Sequence, residues 1–193
     1  MFMRAFLIQL LFLFLPLFTV LAQSTDTVYL SRNMQKIKSK KDAFYFSVIG
    51  YKDSAKIEGT EKTFLITGEK SSEKSFIVDR TSDVERRHYF GLYTSWHKNG
   101  QMELQSNYVA GIKEGKQTRW YENGQIHYIS HYTDGKKQGV AISYYPNGKV
   151  KRQEVFANNL LAAGKCFTKT GADTTLLSDR RNAGISGGRN CFE

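Results

Sequence analysis

A repeat with a period of 24 residues is the feature that most constrains the fold of this chain. Three blocks of equal length begin at Gly91, Gly115 and Gly139. Every block carries an Asn-Gly pair at one offset and an aromatic residue at two others. These positions are Asn99-Gly100, Asn123-Gly124 and Asn147-Gly148; Trp96, Trp120 and Tyr144; and Tyr108, Tyr132 and Phe156. A period of this size predicts stacked units that bury their apolar residues against their neighbours.

The Asn-Gly pairs predict that each unit is a β-hairpin. Asn-Gly is the preferred sequence for a two-residue type I′ turn, because both central residues have positive φ. The segments on either side of the first pair, Leu92 to Lys98 and Gln101 to Tyr108, are rich in strand-forming residues. A two-residue turn places His97 opposite Met102. The equivalent predicted pairs are Tyr121 with Ile126 and Tyr145 with Val150.

A second position, which carries Gly or Asn in every repeat, predicts how the hairpins are joined. Gly111, Gly135 and Asn159 suit turns that lead from one hairpin into the next. We therefore predict an all-β protein, in which tandem hairpins form an elongated antiparallel meandering sheet. In each hairpin of this sheet, the aromatic residues of the second strand lie on one face. The other face carries Trp96, Trp120 and Tyr144.

The period also predicts the organisation of the whole chain. A degenerate unit is indicated before the clean repeats, since Phe64 lies four residues before Gly68, as Trp96 does before Gly100. The predicted parts are a signal peptide (1–22), an N-terminal β-rich segment with a degenerate repeat (23–90), three repeats (91–114, 115–138 and 139–163), and a partial repeat with a flexible tail (164–193).

The first 22 residues are typical of a secretory signal peptide. Arg4 precedes an apolar run from Phe6 to Leu15, and Val20-Leu21-Ala22 resembles a small-residue cleavage site. The alternative is an uncleaved membrane anchor, for which the apolar stretch is short of the roughly 20 residues that span a bilayer. We expect an exported protein of the periplasm or the extracellular space, free or associated with the outer membrane.

Charge and cysteine content restrict the partners of an exported chain. The net charge of +10 suits anionic lipid or acidic glycan, whereas export argues against nucleic acid. Cys166 and Cys191 either form one disulfide that closes the tail or remain free thiols. Both alternatives are open from the sequence.

No pattern in the sequence is typical of catalysis or of metal binding. The chain has no Gly-x-Ser-x-Gly elbow, phosphate-binding loop or dinucleotide fingerprint. His127 and His131 are four residues apart, which on a strand separates them by about 13 Å. We therefore expect no catalytic residue, no metal ligand and no cofactor.

Two segments carry a resemblance to a known family. Trp120 to Ile126 reads WYENGQI and Tyr144 to Val150 reads YYPNGKV, which resembles the variant MORN repeat of bacterial exported proteins. The resemblance covers Gly91 to Gly164 and implies an all-β hairpin array with a protein-binding or surface-binding role. In some relatives the repeats precede a TonB-type C-terminal domain. Cys166 to Gly171 is similar to that junction, although only a short Gly-rich tail follows here.

The recurring aromatic residues and nearby basic residues are the predicted binding site. The candidates are Trp96, Trp120, Tyr144, Arg119 and Lys149. Such a row suits an extended peptide, a glycan or anionic headgroups; alternatively the aromatic residues only pack between repeats and the lysines keep the sheet edges unpaired. We expect a non-enzymatic protein–protein interaction module of the cell envelope, with an unidentified envelope protein as partner. A binder of the membrane surface or of envelope glycan is the alternative, and an enzyme is the third hypothesis.

Overall fold

The computed structural model describes residues 24–81 and 86–177, which form one antiparallel sheet of 14 strands. The strands are β1 (Thr25–Leu30), β2 (Lys36–Ile37), β3 (Tyr45–Tyr51), β4 (Glu58–Leu65), β5 (Lys70–Asp79), β6 (Arg86–Trp96), β7 (Met102–Val109), β8 (Ile112–Trp120), β9 (Ile126–Thr133), β10 (Lys136–Lys137), β11 (Gly139–Tyr144), β12 (Val150–Ala157), β13 (Leu160–Phe167) and β14 (Asp173–Leu177). β1 pairs with both β2 and β3, and from β3 onward each strand pairs with the next in sequence, except that within the described residues β10 pairs only with β9 and β11 follows β9 in the sheet. The predicted all-β meandering sheet is confirmed.

Several predicted features lie outside the described residues. The signal peptide (1–22) and the tail beyond Leu177 are among them. Cys166 is buried on β13 and is disulfide-bonded, whereas Cys191 lies outside the described residues, so the pairing of these two cysteines stays a prediction. Within the described ranges, the structure has no helix whose length and apolar character would let it cross a membrane.

Alternation along the strands gives the sheet two distinct faces. One face, here called the core face, carries the cluster formed by Ile49, Tyr51, Phe76 and Val78. In the repeats this face continues as a row of buried small and polar side chains: Ser106, Gln117, Ser130, Ala141 and Glu154. The hydrophobic core of the described chain therefore lies in the N-terminal segment, and the repeats extend the sheet from it.

The other face, here called the tryptophan face, carries Trp96, Trp120 and Tyr144. The residue before each of them belongs to a cross-strand row on the core face, formed by Ser95, Leu104, Arg119, Tyr128 and Ser143. Because successive side chains on a strand point to opposite faces, the three aromatic rings project on the tryptophan face. Phe46 and Phe64, stacked at 5.1 Å between ring centroids, extend this row toward the N-terminal segment.

The Asn-Gly pairs lie in tight turns, but the predicted two-residue type I′ turn is wrong. His97 N donates to Gln101 O at 2.8 Å, and Gly100 N donates to His97 O at 2.9 Å. Gly100 has a φ of 84°, whereas Asn99 is not among the residues with positive φ. The loop therefore has three residues, a type I turn closed by a left-handed glycine.

Asn99 keeps negative φ because its side chain stabilises the turn in another way. Its Oδ1 accepts a hydrogen bond from Gln101 N at 3.0 Å, which is an Asx turn. The longer loop shifts the pairing by one residue, so Trp96, not His97, lies opposite Met102. The corrected pairs in the other repeats are Trp120 with Ile126 and Tyr144 with Val150.

Type I′ turns occur instead between the repeats, at the opposite edge of the sheet. Both central residues have positive φ in each of these turns: Ala110-Gly111, Asp134-Gly135 and Asn158-Asn159. The strands on either side are joined by only these two residues, as in the pair Val109–Ile112. Every repeat therefore contains both turn types, and the type I′ turn lies at the edge opposite to the predicted one.

The degenerate repeat has the same tight turn as the clean ones. Gly68 N donates to Leu65 O at 2.9 Å, Leu65 N donates to Glu69 O at 2.8 Å, and Gly68 has a φ of 108°. A fourth hairpin follows the third repeat, with Gly171 N donating to Thr168 O at 2.9 Å. The tight turns of five hairpins thus share one geometry along one edge of the sheet.

The first glycine of each repeat lies in an irregularity of the ladder. Gly115 has a φ of 76° and lies where the β7–β8 pairing skips residues, between the pairs Ser106–Gln117 and Tyr108–Lys113. A Cβ at Gly115 would meet no atom within 4 Å, so the requirement for glycine is conformational. Glycine alone adopts this φ without steric cost.

We expect Gly115→Ala to destabilise the protein by about 1–2 kcal/mol, since left-handed backbone is strained for any residue with a Cβ. Chemical denaturation of the purified chain measures the change. The control is Glu114→Ala, which introduces alanine at the preceding residue without replacing a glycine. A loss for Gly115→Ala within about 0.5 kcal/mol, the range for ordinary surface substitutions, would show that the bulge is not required.

Side chains in the tight turns also join each repeat to the next. Asn99 Nδ2 donates to Glu122 O at 2.7 Å, and Asn123 Nδ2 donates to Pro146 O at 3.1 Å. A second series of bonds starts one residue before each turn loop: His97 Nε2 lies 2.9 Å from Trp120 O, and Tyr121 Oη donates to Tyr144 O at 2.7 Å. These bonds span 23 residues, which explains in physical terms why the same residue types recur with the repeat.

Candidate functional site

The three predicted aromatic residues form a continuous band on the tryptophan face beside the tight turns. Trp96, Trp120 and Tyr144 end β6, β8 and β11, and each is half-buried. Their cross-strand neighbours are the apolar residues Met102, Ile126 and Val150. Successive rings are two strands apart, a separation of about 9.6 Å. No second layer of the described chain packs on this band, so it remains accessible.

A lysine extends the band beyond the first repeat. Lys70 Nζ lies 4.2 Å from the centroid of the Trp96 ring, close enough for a cation–π contact. Lys70 is also paired with Glu73, so its charge is compensated there. On the N-terminal side this ion pair lies between Trp96 and the Phe64 ring, and along the repeats the band continues as apolar surface.

A shallow hollow lies beside the tight turns of the first two repeats. It has a volume of about 210 Å³ and is lined by His97, Glu103, Arg119, Trp120, Tyr121, Glu122 and His127. Two of the five predicted binding residues, Arg119 and Trp120, line this hollow, but their side chains project on opposite faces of the sheet. Because two carboxylates, a guanidinium group and aromatic residues line it, the hollow can accept a mixed polar and aromatic group.

The other predicted basic residue lies elsewhere. Lys149 is exposed in the tight turn of the third repeat, and its Nζ donates to Thr170 O at 3.1 Å. This bond joins the third turn to the fourth, so Lys149 contributes to the connection between hairpins. The structure does not bring Lys149 into the hollow.

Sequence reasoning missed His97, Glu103 and His127 as lining residues of the hollow. The signal was present in the period, because Glu103, His127 and Lys151 occupy one offset of successive repeats. These residues recur where the pairing next to each tight turn is irregular. Ser95 Oγ donates to a carboxylate oxygen of Glu103 at 3.1 Å, which orients this side chain.

His127 has an electrostatic environment that disfavours its charged form. Its ring stacks on Tyr121 with 4.3 Å between centroids. Partial burial lowers the pKa of His127 below its usual value of 6.5, and the positive charges of Arg119 and Lys151 lower it further. His127 is therefore a neutral hydrogen-bonding group at neutral pH.

Replacing Arg119 with glutamine is expected to raise the pKa of His127 part of the way toward 6.5. Removing one positive charge favours the imidazolium form, while burial and Lys151 still oppose it. Titration of the histidine ring protons by NMR measures the change, with His88 as the internal reference. An unchanged titration of His127 would show that Arg119 does not act on it.

His131, four residues after His127, also lies on β9, but the two side chains are not brought together. His131 Nδ1 lies 3.4 Å from Val140 O, whereas His127 contacts Tyr121. Among residues 24–81 and 86–177, no group of three or more His, Cys, Asp or Glu side chains is placed to hold a metal ion.

Comparison with known proteins agrees with this repeat geometry. The model of the MORN repeat variant matches residues 91–110, 113–134 and 137–158. Each matched segment contains one tight turn and the strands beside it. A comparison with curated proteins found no match. The resemblance of the repeats to this family is confirmed, and the similarity of Cys166 to Gly171 to a TonB-type junction stays a prediction.

Proposed function

We propose that this chain, whose residues 91–158 contain three MORN repeat variants, is an exported binding module that holds a partner protein of the cell envelope on its tryptophan face. MORN repeats are generally modules that bind proteins or membranes and are not enzymes. Export is proposed from the first 22 residues, whose pattern is that of a secretory signal peptide.

The observation that carries the proposal is the band of Trp96, Trp120 and Tyr144. Tryptophan and tyrosine are enriched among the residues that dominate binding energy at protein interfaces. The band is apolar, regularly spaced and half-exposed. Packing between repeats does not require this exposure, because hydrogen bonds from the turns already connect successive hairpins.

The test is the double variant Trp96→Ala/Trp120→Ala of the mature chain, produced in cells with an affinity tag. In-cell crosslinking and mass spectrometry of the captured proteins identify the partner of the unchanged chain. We expect the double variant to bind that purified partner at least tenfold more weakly, as for interface residues of this type. Circular dichroism checks that the sheet persists.

A matched control is the double variant Ile112→Ala/Leu160→Ala. Both side chains are exposed and apolar, but they lie beside the type I′ turns at the opposite edge of the sheet. We expect unchanged binding for this control. If both double variants bind the partner like the unchanged chain, the tryptophan face is not the binding site.

The second candidate function is binding to an anionic membrane surface or envelope glycan, which the net charge of +10 favours. It predicts association with vesicles that contain anionic lipid, with a strong decrease at high salt. Sedimentation of vesicles with and without anionic lipid distinguishes the two functions. Association that is insensitive to salt would count against the second candidate.

A further inference from the structure

A second row of aromatic residues lies on the core face, along the edge with the type I′ turns. It consists of Tyr108, Lys113, Tyr132, Lys137 and Phe156, which alternate between ring and ammonium group on neighbouring strands. All five side chains are half-buried. This row, here called the lysine–aromatic row, faces away from the tryptophan face and is not used by the proposed function.

Direct contacts fix the lysines of this row over the rings. Lys113 Nζ lies 5.0 Å from the centroid of the Tyr132 ring, and Lys137 Nζ lies 4.3 Å from that of Phe156. Lys113 Nζ also donates to Gln117 Oε1 at 2.9 Å. Burial raises the pKa of the Tyr108 hydroxyl, and the nearby Tyr93 and Tyr132 raise it further, so this ring edge is a neutral donor. The row is therefore built of ordered side chains.

The positive charges of the row are not balanced by carboxylates. Within the described ranges, neither Lys113 nor Lys137 forms an ion pair, whereas other carboxylates on the core face are used by other cations. Glu61 lies 3.5 Å from Lys74 Nζ, and Glu154 lies 3.3 Å from Arg152. Two ammonium groups thus stay available to an anionic partner, and their half-buried position strengthens the attraction relative to bulk water.

The spacing of the row fits one conformation of an extended peptide. Lys113 and Lys137 are one repeat apart, as are Tyr108, Tyr132 and Phe156. One repeat advances by two strands, which is about 9.6 Å. A polyproline II helix has three residues per turn and rises about 9.3 Å per turn. Every third side chain of such a peptide therefore meets an equivalent position of the next repeat.

We propose that the lysine–aromatic row binds an acidic peptide segment in the polyproline II conformation, with a carboxylate at every third residue. The carboxylates contact Lys113 and Lys137, and the intervening prolines pack on Tyr108, Tyr132 and Phe156. Grooves lined by aromatic residues recognise this conformation because it is ordered before binding. The site is independent of the tryptophan face.

The test uses a fluorescent peptide of five Pro-Pro-Glu triplets and the mature chain, with fluorescence anisotropy as the readout. We expect Lys113→Ala/Lys137→Ala to weaken binding at least tenfold. The matched control is Lys116→Ala/Lys136→Ala, which removes the same charge from exposed residues on the same two strands without touching the row. An equal loss in both double variants would show non-specific attraction and overturn the proposal.

Two further probes test the chemistry of the partner. A peptide of five Gly-Ser-Glu triplets has the same charges without the preformed helix, and we expect it to bind more weakly. Hyaluronate tests an acidic glycan. Equal binding of the flexible peptide, or binding of hyaluronate without binding of the proline-containing peptide, would overturn the proposal. Because Trp96 and Trp120 lie on the other face, their double variant is expected to bind the peptide normally.

Discussion

Replacing Phe76 with alanine is expected to reduce the free energy of unfolding by about 3–5 kcal/mol, the usual cost for a buried phenylalanine. The Phe76 side chain is 0% exposed and forms the centre of the core cluster with Ile49, Tyr51 and Val78. The Tyr51 ring meets it edge to face at 5.9 Å between centroids. A single-layer sheet has few ways to fill the resulting cavity, so we expect little relaxation.

Chemical denaturation of the mature chain measures this loss, and Ile77→Ala is its matched control. Ile77 follows Phe76 on β5 but points to the opposite face, where it is 43% exposed. We expect Ile77→Ala to cost within about 0.5 kcal/mol. Similar losses for the two variants would contradict the assignment of the core to one face of the N-terminal segment.

Replacing Tyr145 with alanine is the second substitution with a large expected effect, about 3 kcal/mol or more. Tyr145 is only 4% exposed, although it lies at the end of a strand near a tight turn. Its Oη donates to Phe167 O at 2.9 Å, and Lys151 Nζ lies 5.5 Å from its ring centroid. The ring and its hydrogen bond together join the third repeat to the fourth hairpin.

Two further variants separate these contributions, again by chemical denaturation. Tyr145→Phe removes only the hydrogen bond and is expected to cost about 1 kcal/mol. Tyr144→Ala removes a neighbouring ring that is half-buried on the tryptophan face, and we expect a smaller loss than for Tyr145→Ala. A larger loss for Tyr144→Ala would show that the tryptophan face, and not the bonds between turns, holds the repeats together.

The 24-residue period was sufficient to predict the hairpins, their order and the side of the sheet on which Trp96 projects. The type I′ turn was predicted at the wrong edge because Asn-Gly suits two conformations. The sequence alone does not show that the Asn99 side chain bonds to Gln101 N and to Glu122 O, and these bonds favour the three-residue loop. The type I′ turns then fall on Ala110-Gly111 and its equivalents, where only two residues join the strands.

The candidate site was predicted only in part. The period identifies Trp96, Trp120 and Tyr144 because they share one residue class, whereas Glu103, His127 and Lys151 share an offset but differ in charge. Their common role follows from the irregular pairing beside each turn, which depends on the loop length. Lys149 lies apart from the hollow because its contact is with Thr170, in a hairpin whose turn lacks the Asn-Gly sequence, and its role in binding stays a prediction.

The most direct test of the central claim is site-specific photo-crosslinking in cells. A photoreactive residue replaces Met102, which is 41% exposed opposite Trp96, or Leu160, which is 66% exposed at the other edge. We expect one dominant protein adduct from position 102, which is absent from position 160 and is lost when Trp120 is changed to alanine. No adduct from position 102, or the same adducts from both positions, would contradict a binding surface on the tryptophan face.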